Sequence, residues 1–442
     1  MKTNHLLDDA ADSAGTWNAL VPAAFAFESS ARPSAVSRPP VLLDVTRLIS
    51  RSWTGRLSTG IDRVCYAYLH HFADRALAVV QHRGLIRVLD HSYTSALFNM
   101  LLDDEGRFHS RMAAFAPRAL MTGHTNVPGA TYINVSHTDF DLASHARWIR
   151  RQALKPVYLL HDLIPLTHGE HCRPRAVQRH RGRVIGALRH GAGIVVSSTA
   201  VADDLTTFTR QQRLETPPVL VAPLAGADLG SRRVRPKVSN RYFLCVGTIE
   251  SRKNHILLLK IWQRLRMRLG AATPRLVIVG QWGRRAEAVA DMLTRDRALA
   301  EHVSLVKGCT DDDLAELING ACAMLMPSLA EGYGLPMAEA LTLGVPVIAS
   351  DLPCYREVGQ GAPCLLDPHD VAAWTDLIAG FGDTCPRYRR QIMQISRFRP
   401  TTWVEHFARV ERWLPRLAGS TESLSAPLPR MAAPIMLCEG VL

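Results

Sequence analysis

Two carboxylates, Glu331 and Glu339, stand with seven residues between them in the stretch EGYGLPMAEALTLGVPVIASD, Glu331–Asp351, around a glycine-rich turn in an otherwise apolar run. Gly332 and Gly334 allow a tight turn and a close approach of backbone to ligand. A helix starting near Gly334 or Leu335 presents free N–H groups, suited to phosphate or sugar oxygens. Pro336 fits its first turn, where a missing N–H costs nothing. Glu331 falls at a strand end and is expected to point into a cleft. Glu339 falls about one turn into the helix, where its carboxylate can accept the two hydrogen bonds of a vicinal diol. Taken alone, the spacing reads as a helix start with Glu339 in solvent.

Other residues carry comparable signals. In VGTIESRKNH, Val246–His255, a strand ends at Gly247, and Arg252 and Lys253 precede a helix. Cations are disfavoured at a helix start, so the pair points to a bound anion. In YLLHDLIPL, His161 and Asp162 end an apolar strand and are expected to project into the cleft. Asp311 and Asp313, and Asp139 and Asp141, match the D-x-D pattern of metal-dependent transferases. Both pairs precede helices, where acids cap free N–H groups, and that is the reading adopted here. His168 and His171 lack further ligand-like spacing. No Walker A, H-E-x-x-H or G-x-S-x-G pattern occurs.

The elements that must position these residues alternate. PVLLDV is a buried strand, TRLISRSWTGRLSTG a polar loop, and IDRVCYAYLHHF a helix. ATYINVS, PVYLLHD, AGIVVSS and PPVLVAP follow as strands, with helices between most of them. After a polar, Gly- and Pro-containing linker at 224–240 the alternation resumes with YFLCVGT, RLVIVGQ, HVSLVKG, CAMLMPS, VPVIASD and CLLDP. Such alternation predicts an α/β chain of two doubly wound parallel sheets facing a cleft. Ligands of open sheets bind beyond the carboxyl ends of the strands, where these motifs lie.

Composition sets the outer bounds. The chain has 442 residues, 47% hydrophobic and 21% charged, enough for two domains. Nine scattered cysteines without a C-x-x-C pair predict reduced thiols and a cytoplasmic setting. No apolar run approaches the roughly 18 residues of a membrane span. The net charge of +12 reads either as solvated surface arginines or as a sign of an anionic partner, for which nucleic acid, anionic lipid and nucleotide phosphate all qualify, and charge alone does not decide between them. The basic segment His171–His190 holds six arginines and no acid. It reads either as a helix with its arginines in water or as one resting on anionic lipid.

Together these residues resemble family 4 of the retaining glycosyltransferases, which have the GT-B fold. The resemblance runs from Val41 to Arg416. It is carried by EGYGLPMAEALTLGVPVIASDLPCYREV, and by VGTIESRKN, HDLIPL, LDVTRLI…TGIDRVCYAYL and TTWVEHFARVERWL. Within the family the chain is similar to a bacterial subgroup that builds surface polysaccharides and often transfers mannose. Motifs that agree in order and position turn the reading of Glu331 and Glu339 from solvated acids to site residues.

Residues 1–39, rich in Ala, Ser and Pro and without periodicity, read as a disordered tail. On either side of the 224–240 linker the resemblance implies an acceptor-side Rossmann-like domain at 40–223 and a nucleotide-sugar domain at 241–416 whose last helix crosses back, followed by a tail at 417–442. It implies that Glu331 holds donor-sugar hydroxyls and that the backbone of Gly332, Tyr333, Gly334 and Leu335 contacts sugar and diphosphate. Glu339 would bind the ribose, Arg252 and Lys253 would grip the diphosphate near Gly247 and Thr248, and Gly60 would lie beside it. His161 would sit at the reacting face, and the base near Gly308–Thr310. Thr248 stands where many relatives carry a diphosphate arginine, for which Arg252 is expected to compensate. Asp62 replaces a glycine common in the N-domain loop. The implied partners are a nucleotide diphosphate sugar and a glycan or lipid-linked acceptor. No metal or other cofactor and no nucleic acid is implied. The alternatives are a nicotinamide-dependent oxidoreductase built on GYGLPM with Asp351 as its ribose acid, and a GT-B scaffold without activity.

Overall fold

The computed structural model describes residues 41–55, 59–103, 107–121, 123–230 and 242–419. The expected 1–39 tail, most of the 224–240 linker and nearly all of the 417–442 tail lie outside them.

The first sheet is built from β1 (Val41–Asp44), β2 (Ala76–His82), β3 (Leu85–Val88), β4 (Thr131–Asn134), β5 (Lys155–Leu160), β6 (Gly193–Val196) and β7 (Val219–Val221), in the order β3-β2-β1-β4-β5-β6-β7. Every pair is parallel except β2–β3, an antiparallel edge hairpin that the sequence reading missed. Only Val88 of β3 is fully buried, and LIRV is too short a run, broken by Arg87, to mark a strand by itself. The second sheet holds β8 (Tyr242–Val246), β9 (Arg275–Val279), β10 (Val303–Val306), β11 (Met324–Met326), β12 (Val347–Ser350) and β13 (Cys364–Leu366). Its order is β10-β9-β8-β11-β12-β13, all parallel. The short runs VLLD, GIVV and VIAS are buried at every position, as strands covered by helices on both faces must be.

Strand order reverses between β1 and β4 in the first sheet and between β8 and β11 in the second. The turns after β8 and β11 therefore emerge side by side. Seven helices matter for the site. Helix α1 (Thr46–Thr54) follows β1 directly, where a polar loop was expected. Leu48 is buried beneath it and Ile49 packs beside it, while Arg47 and Arg51, one turn apart, occupy its cleft side; the helix is amphipathic, but at nine residues rich in Arg, Ser and Thr it reads as a loop in the sequence. Helix α2 (Gly60–Phe72) starts at Thr59, whose backbone N–H (2.8 Å) and hydroxyl (2.7 Å) donate to the Asp62 carboxylate. The others are α3 (Pro174–His190), α4 (His255–Leu269), α5 (Asp311–Gly320), α6 (Leu335–Thr342) and α7 (Trp403–Trp413).

Helix α7 packs on the first sheet's helices, not on its own. The Phe407 ring stacks on His71 with centroids 3.9 Å apart. The Tyr68 hydroxyl donates to His406 Nε2 at 3.0 Å, and His406 Nδ1 meets the Pro223 carbonyl at 3.0 Å. Glu411 takes both His71 and Arg75. A Cβ on Gly193 would lie 2.4 Å from the Trp413 ring, so this glycine is required for close approach. One cluster of buried apolar side chains consequently runs from the first sheet, through α2, into α6 and α7.

Candidate active site

A cleft of about 1210 Å³ lies between the two sheets at their carboxyl ends. All twelve predicted site residues line it: Gly60, His161, Gly247, Thr248, Arg252, Lys253, Glu331, Gly332, Tyr333, Gly334, Leu335 and Glu339. Residues separated by up to 279 positions in the chain (Gly60 to Glu339) thus share one wall-to-wall space.

On the second-sheet side, the turn after β11 delivers Glu331 to the cations that follow β8. Its carboxylate contacts Lys253 Nζ, lies 3.1 Å from Arg252 Nη1, and accepts from Ser328 Oγ at 3.0 Å. Burial alone would raise this carboxyl, but Lys253 and Arg252 outweigh it and pull it down to about 2. Arg252 is further held by Glu250 (2.7 Å) and the Ala330 carbonyl (3.1 Å). Burial disfavours the Arg252 charge, and Glu331 and Glu250 more than restore it. Glu331 lines the cleft, as expected, and is turned there onto two cations. Arg252, the expected substitute for an arginine at Thr248, is largely occupied by carboxylates.

Helix α6 starts at Gly334, whose φ of +104° and the Tyr355 ring 2.7 Å from an added Cβ both demand glycine. Glu339 is buried within α6, and its Oε1 accepts from the Ala227 backbone N–H at 3.1 Å. Burial raises its pKa, opposed by the nearby Arg63 and by that N–H. The Tyr333 hydroxyl donates to the Leu224 carbonyl at 2.6 Å, so its ring anchors the segment that enters the linker.

The first-sheet side closes over this arrangement. A Cβ on Gly332 would lie 2.3 Å from the His161 carbonyl, and Ser198 Oγ donates to the Gly332 carbonyl at 2.8 Å. His161 follows β5; its Nε2–H donates to the Val135 carbonyl at 2.8 Å, and burial lowers its pKa to about 4. It is thus a neutral imidazole with Nδ1 as its remaining acceptor. Arg63 of α2 pairs with Asp311 at the start of α5, joining the two halves beside Glu339. A Cβ on Gly60 would come within 3.2 Å of Leu335 Cδ1, so the starts of α2 and α6 meet across the cleft.

Several expectations need correction. Asp62 is not in a loop that approaches a ligand: it is the third residue of α2, fully buried, and turned back onto Thr59, Arg47 and Arg51. Asp313 does cap α5 with Thr310, as read. Asp139 and Asp141 cap nothing; both pair with Arg179, and Asp141 also with Arg183. Helix α6 has fully buried Met337 where a dinucleotide fingerprint needs glycine, and exposed Asp351 is bound twice by Arg356 at 2.6 Å. The nicotinamide alternative loses both of its residues. Arg47, Arg51, Arg63 and Lys307 also line the cleft and were not singled out. The four-residue spacing of Arg47 and Arg51 was visible, but only inside a segment read as a loop.

The sequence profile described as "Glycosyl transferases group 1" matches residues 231–392. The serotype-specific mannosyltransferase WbdA of Escherichia coli is 27% identical over 220 residues, 46% of this chain and 27% of that protein. O-antigen chain mannosyltransferase B of Escherichia coli is 34% identical over 132 residues, 30% of this chain and 34% of that one. The chain thus spans only about a quarter (27%) of the WbdA relative's length. Among solved structures, Anabaena Alr3699/HepE in complex with UDP and glucose superimposes with a TM-score of 0.60 at 15% identity, covering 86% of this chain and all (100%) of that one. Sucrose-phosphate synthase from Thermosynechococcus elongatus gives 0.56 at 14% identity, covering 86% and 99%. The chain accordingly has the GT-B fold, and its residues 231–392 are similar to the glycosyl transferases group 1 profile.

Proposed function

We propose that this chain is a retaining glycosyltransferase. It moves a hexose, mannose or a similar sugar, from a nucleotide diphosphate sugar to a glycan or lipid-linked acceptor in surface polysaccharide synthesis. The observation that carries the reading is the cluster of Glu331, Lys253 and Arg252 beside the start of α6, with Glu339 a turn further on, in one cleft. The names of the mannosyltransferase relatives and the UDP bound by the Anabaena protein support it.

In this reading the donor diphosphate lies at the start of α6 near Lys253, and Glu339 takes the ribose hydroxyls. Breaking the bond between the sugar C1 and the diphosphate oxygen builds negative charge on the leaving group, which Lys253, Arg252 and the helix N–H groups stabilise. A sugar of oxocarbenium character forms beside Glu331. The acceptor hydroxyl attacks C1 from the leaving-group face and loses its proton to the departing diphosphate, so configuration is retained. Contact between the two halves over Gly332 keeps water from the donor. Fixed cations make a metal dispensable, and the acids of both D-x-D matches are engaged in caps or arginine pairs. The enzyme acts in the cytoplasm, with α3 against the inner membrane face. Among the described residues no helix is long and apolar enough to cross a membrane.

The test is a thermal-shift panel of UDP-, GDP- and dTDP-sugars, followed by transfer or hydrolysis assays with and without EDTA. One donor should raise Tm and be consumed in EDTA. No shift with any donor overturns the transferase reading, and loss of activity on chelation restored by Mg²⁺ or Mn²⁺ overturns metal independence.

A further inference from the structure

Charge is distributed unevenly over the two walls of the cleft. On the second-sheet wall, Lys253 and Arg252 are paired with carboxylates, Glu331 and Glu250. On the opposite wall two guanidiniums, Arg47 and Arg51 of α1, share the single carboxylate of Asp62. That carboxylate is fully buried and saturated, since Thr59 donates to it twice in addition.

The way the arginines hold Asp62 is informative. Arg47 uses Nε (2.6 Å to Oδ1) and gives one Nη to Thr59 Oγ1 at 3.3 Å. Arg51 reaches Asp62 Oδ2 through Nε at 3.2 Å. Arg47 Nη1 and both Arg51 Nη atoms make no hydrogen bond among the described residues. Both side chains line the cleft and are only about a quarter exposed, at 24% and 21%. Asp62 therefore fixes two guanidinium forks from behind and leaves their outer edges toward the cleft. Four residues apart on one helix face, the forks are spaced to hold one phosphate group between them.

We propose that Arg47 and Arg51 form a phosphate site on the first-sheet wall of the cleft, opposite Lys253, and that Asp62 is the residue that orients them. The proposal rests on the transferase reading, because it names the group that the second wall of the same cleft takes. Two phosphates can reach it: the diphosphate of the donor, or a phosphate on the acceptor.

The test is calorimetric titration of the full chain with pyrophosphate, with UDP and GDP, and with inorganic phosphate added to protein saturated with nucleoside diphosphate. Wild type is compared with Arg51→Gln, Arg51→Lys, Asp62→Asn and the Asp62→Asn/Arg51→Gln double variant, each checked for an intact melt. Arg51→Gln should weaken one phosphate by roughly tenfold or more, the scale of one lost charge-assisted hydrogen bond, with Arg51→Lys intermediate. Asp62→Asn should itself weaken the same phosphate, and Arg51→Gln should then cost less in the Asp62→Asn background than in wild type; an undiminished cost there overturns the orienting role of Asp62. Loss confined to nucleoside diphosphate and pyrophosphate identifies the donor phosphate as occupant; loss confined to the added phosphate identifies the acceptor's. Affinities within twofold of wild type for every probe overturn the phosphate site while leaving the transferase reading standing. A wild-type protein that binds no nucleoside diphosphate at all overturns both.

Discussion

Replacing Glu331 by Gln should cost stability by an amount that depends on pH in a defined direction. The carboxyl has an ordinary value of 4.5 and sits at about 2 in the folded protein, because Lys253 and Arg252 outweigh its burial. At about 1.36 kcal/mol per pH unit of difference, ionised Glu331 contributes on the order of 3 kcal/mol at pH 7. Its folded value lies below its unfolded value, so that contribution is complete above about pH 4.5 and disappears as pH falls toward 2. By the same relation it drops to roughly 2 kcal/mol at pH 3.5. The side chain is only 9% exposed, so solvent screening takes little from this figure. Urea unfolding of wild type and Glu331→Gln at pH 7, 5 and 3.5 provides the comparison. The gap between the two curves should hold from pH 7 to 5 and narrow by about a third at pH 3.5. A gap of the same size at every pH would show that the residue acts through packing or hydrogen bonding, and would refute the charge argument.

Glu339→Ala should weaken nucleoside diphosphate binding by about tenfold, whereas Lys253→Ala should chiefly lower kcat, by roughly 100-fold, since its charge matters most as the diphosphate departs. Unchanged kinetics in both remove them from the site. Gly332→Ala puts a methyl 2.3 Å from the His161 carbonyl, which is backbone and cannot swing aside, so the two halves must part. A larger radius of gyration by solution scattering is expected, and an unaltered one with full activity refutes the contact. If α3 rests on anionic lipid, the chain should sediment with anionic vesicles at low salt and release at high salt. Arg179 and Arg183 pair with Asp139 and Asp141, so Arg173, Arg175, Arg181 and Arg189 are the exposed arginines of this segment with no ion pair among the described residues, each contributing on the order of 1 kcal/mol. Equal, negligible sedimentation with neutral and anionic vesicles at low salt leaves α3 as a solvated face.

The strands that carry the site were legible because each is a short, continuously apolar run ending in Gly, His-Asp or Ser, a pattern that survives without any partner in view. Alternation with helices then placed the turns after β8 and β11 at the ligand-binding edge. What stayed hidden was set by distant neighbours. Arg63 finds Asp311 across 248 positions, and no local spacing announces it. Asp139 and Asp141 have the look of caps, but their carboxylates are claimed by arginines about 40 residues on. Arg47 and Arg51 disappeared when α1 was read as loop: its amphipathic pattern spans only nine residues, most of them Arg, Ser and Thr. Asp62 stands where the resemblance led us to expect glycine, and only the fold revealed that it faces inward to hold arginines.

Helix α7 has a mechanical consequence. The chain passes from the first sheet to the second after Val221 and returns to it with Trp403, where Phe407, His406 and Trp413 fasten the end of the chain. A body joined at one point can pivot in any direction, whereas a body joined at two can turn only about the line between them. The return of α7 makes the connection a door hinge rather than a ball joint. Opening and shutting of the cleft then follow a single arc, and Gly332 meets His161 in the same register on every swing.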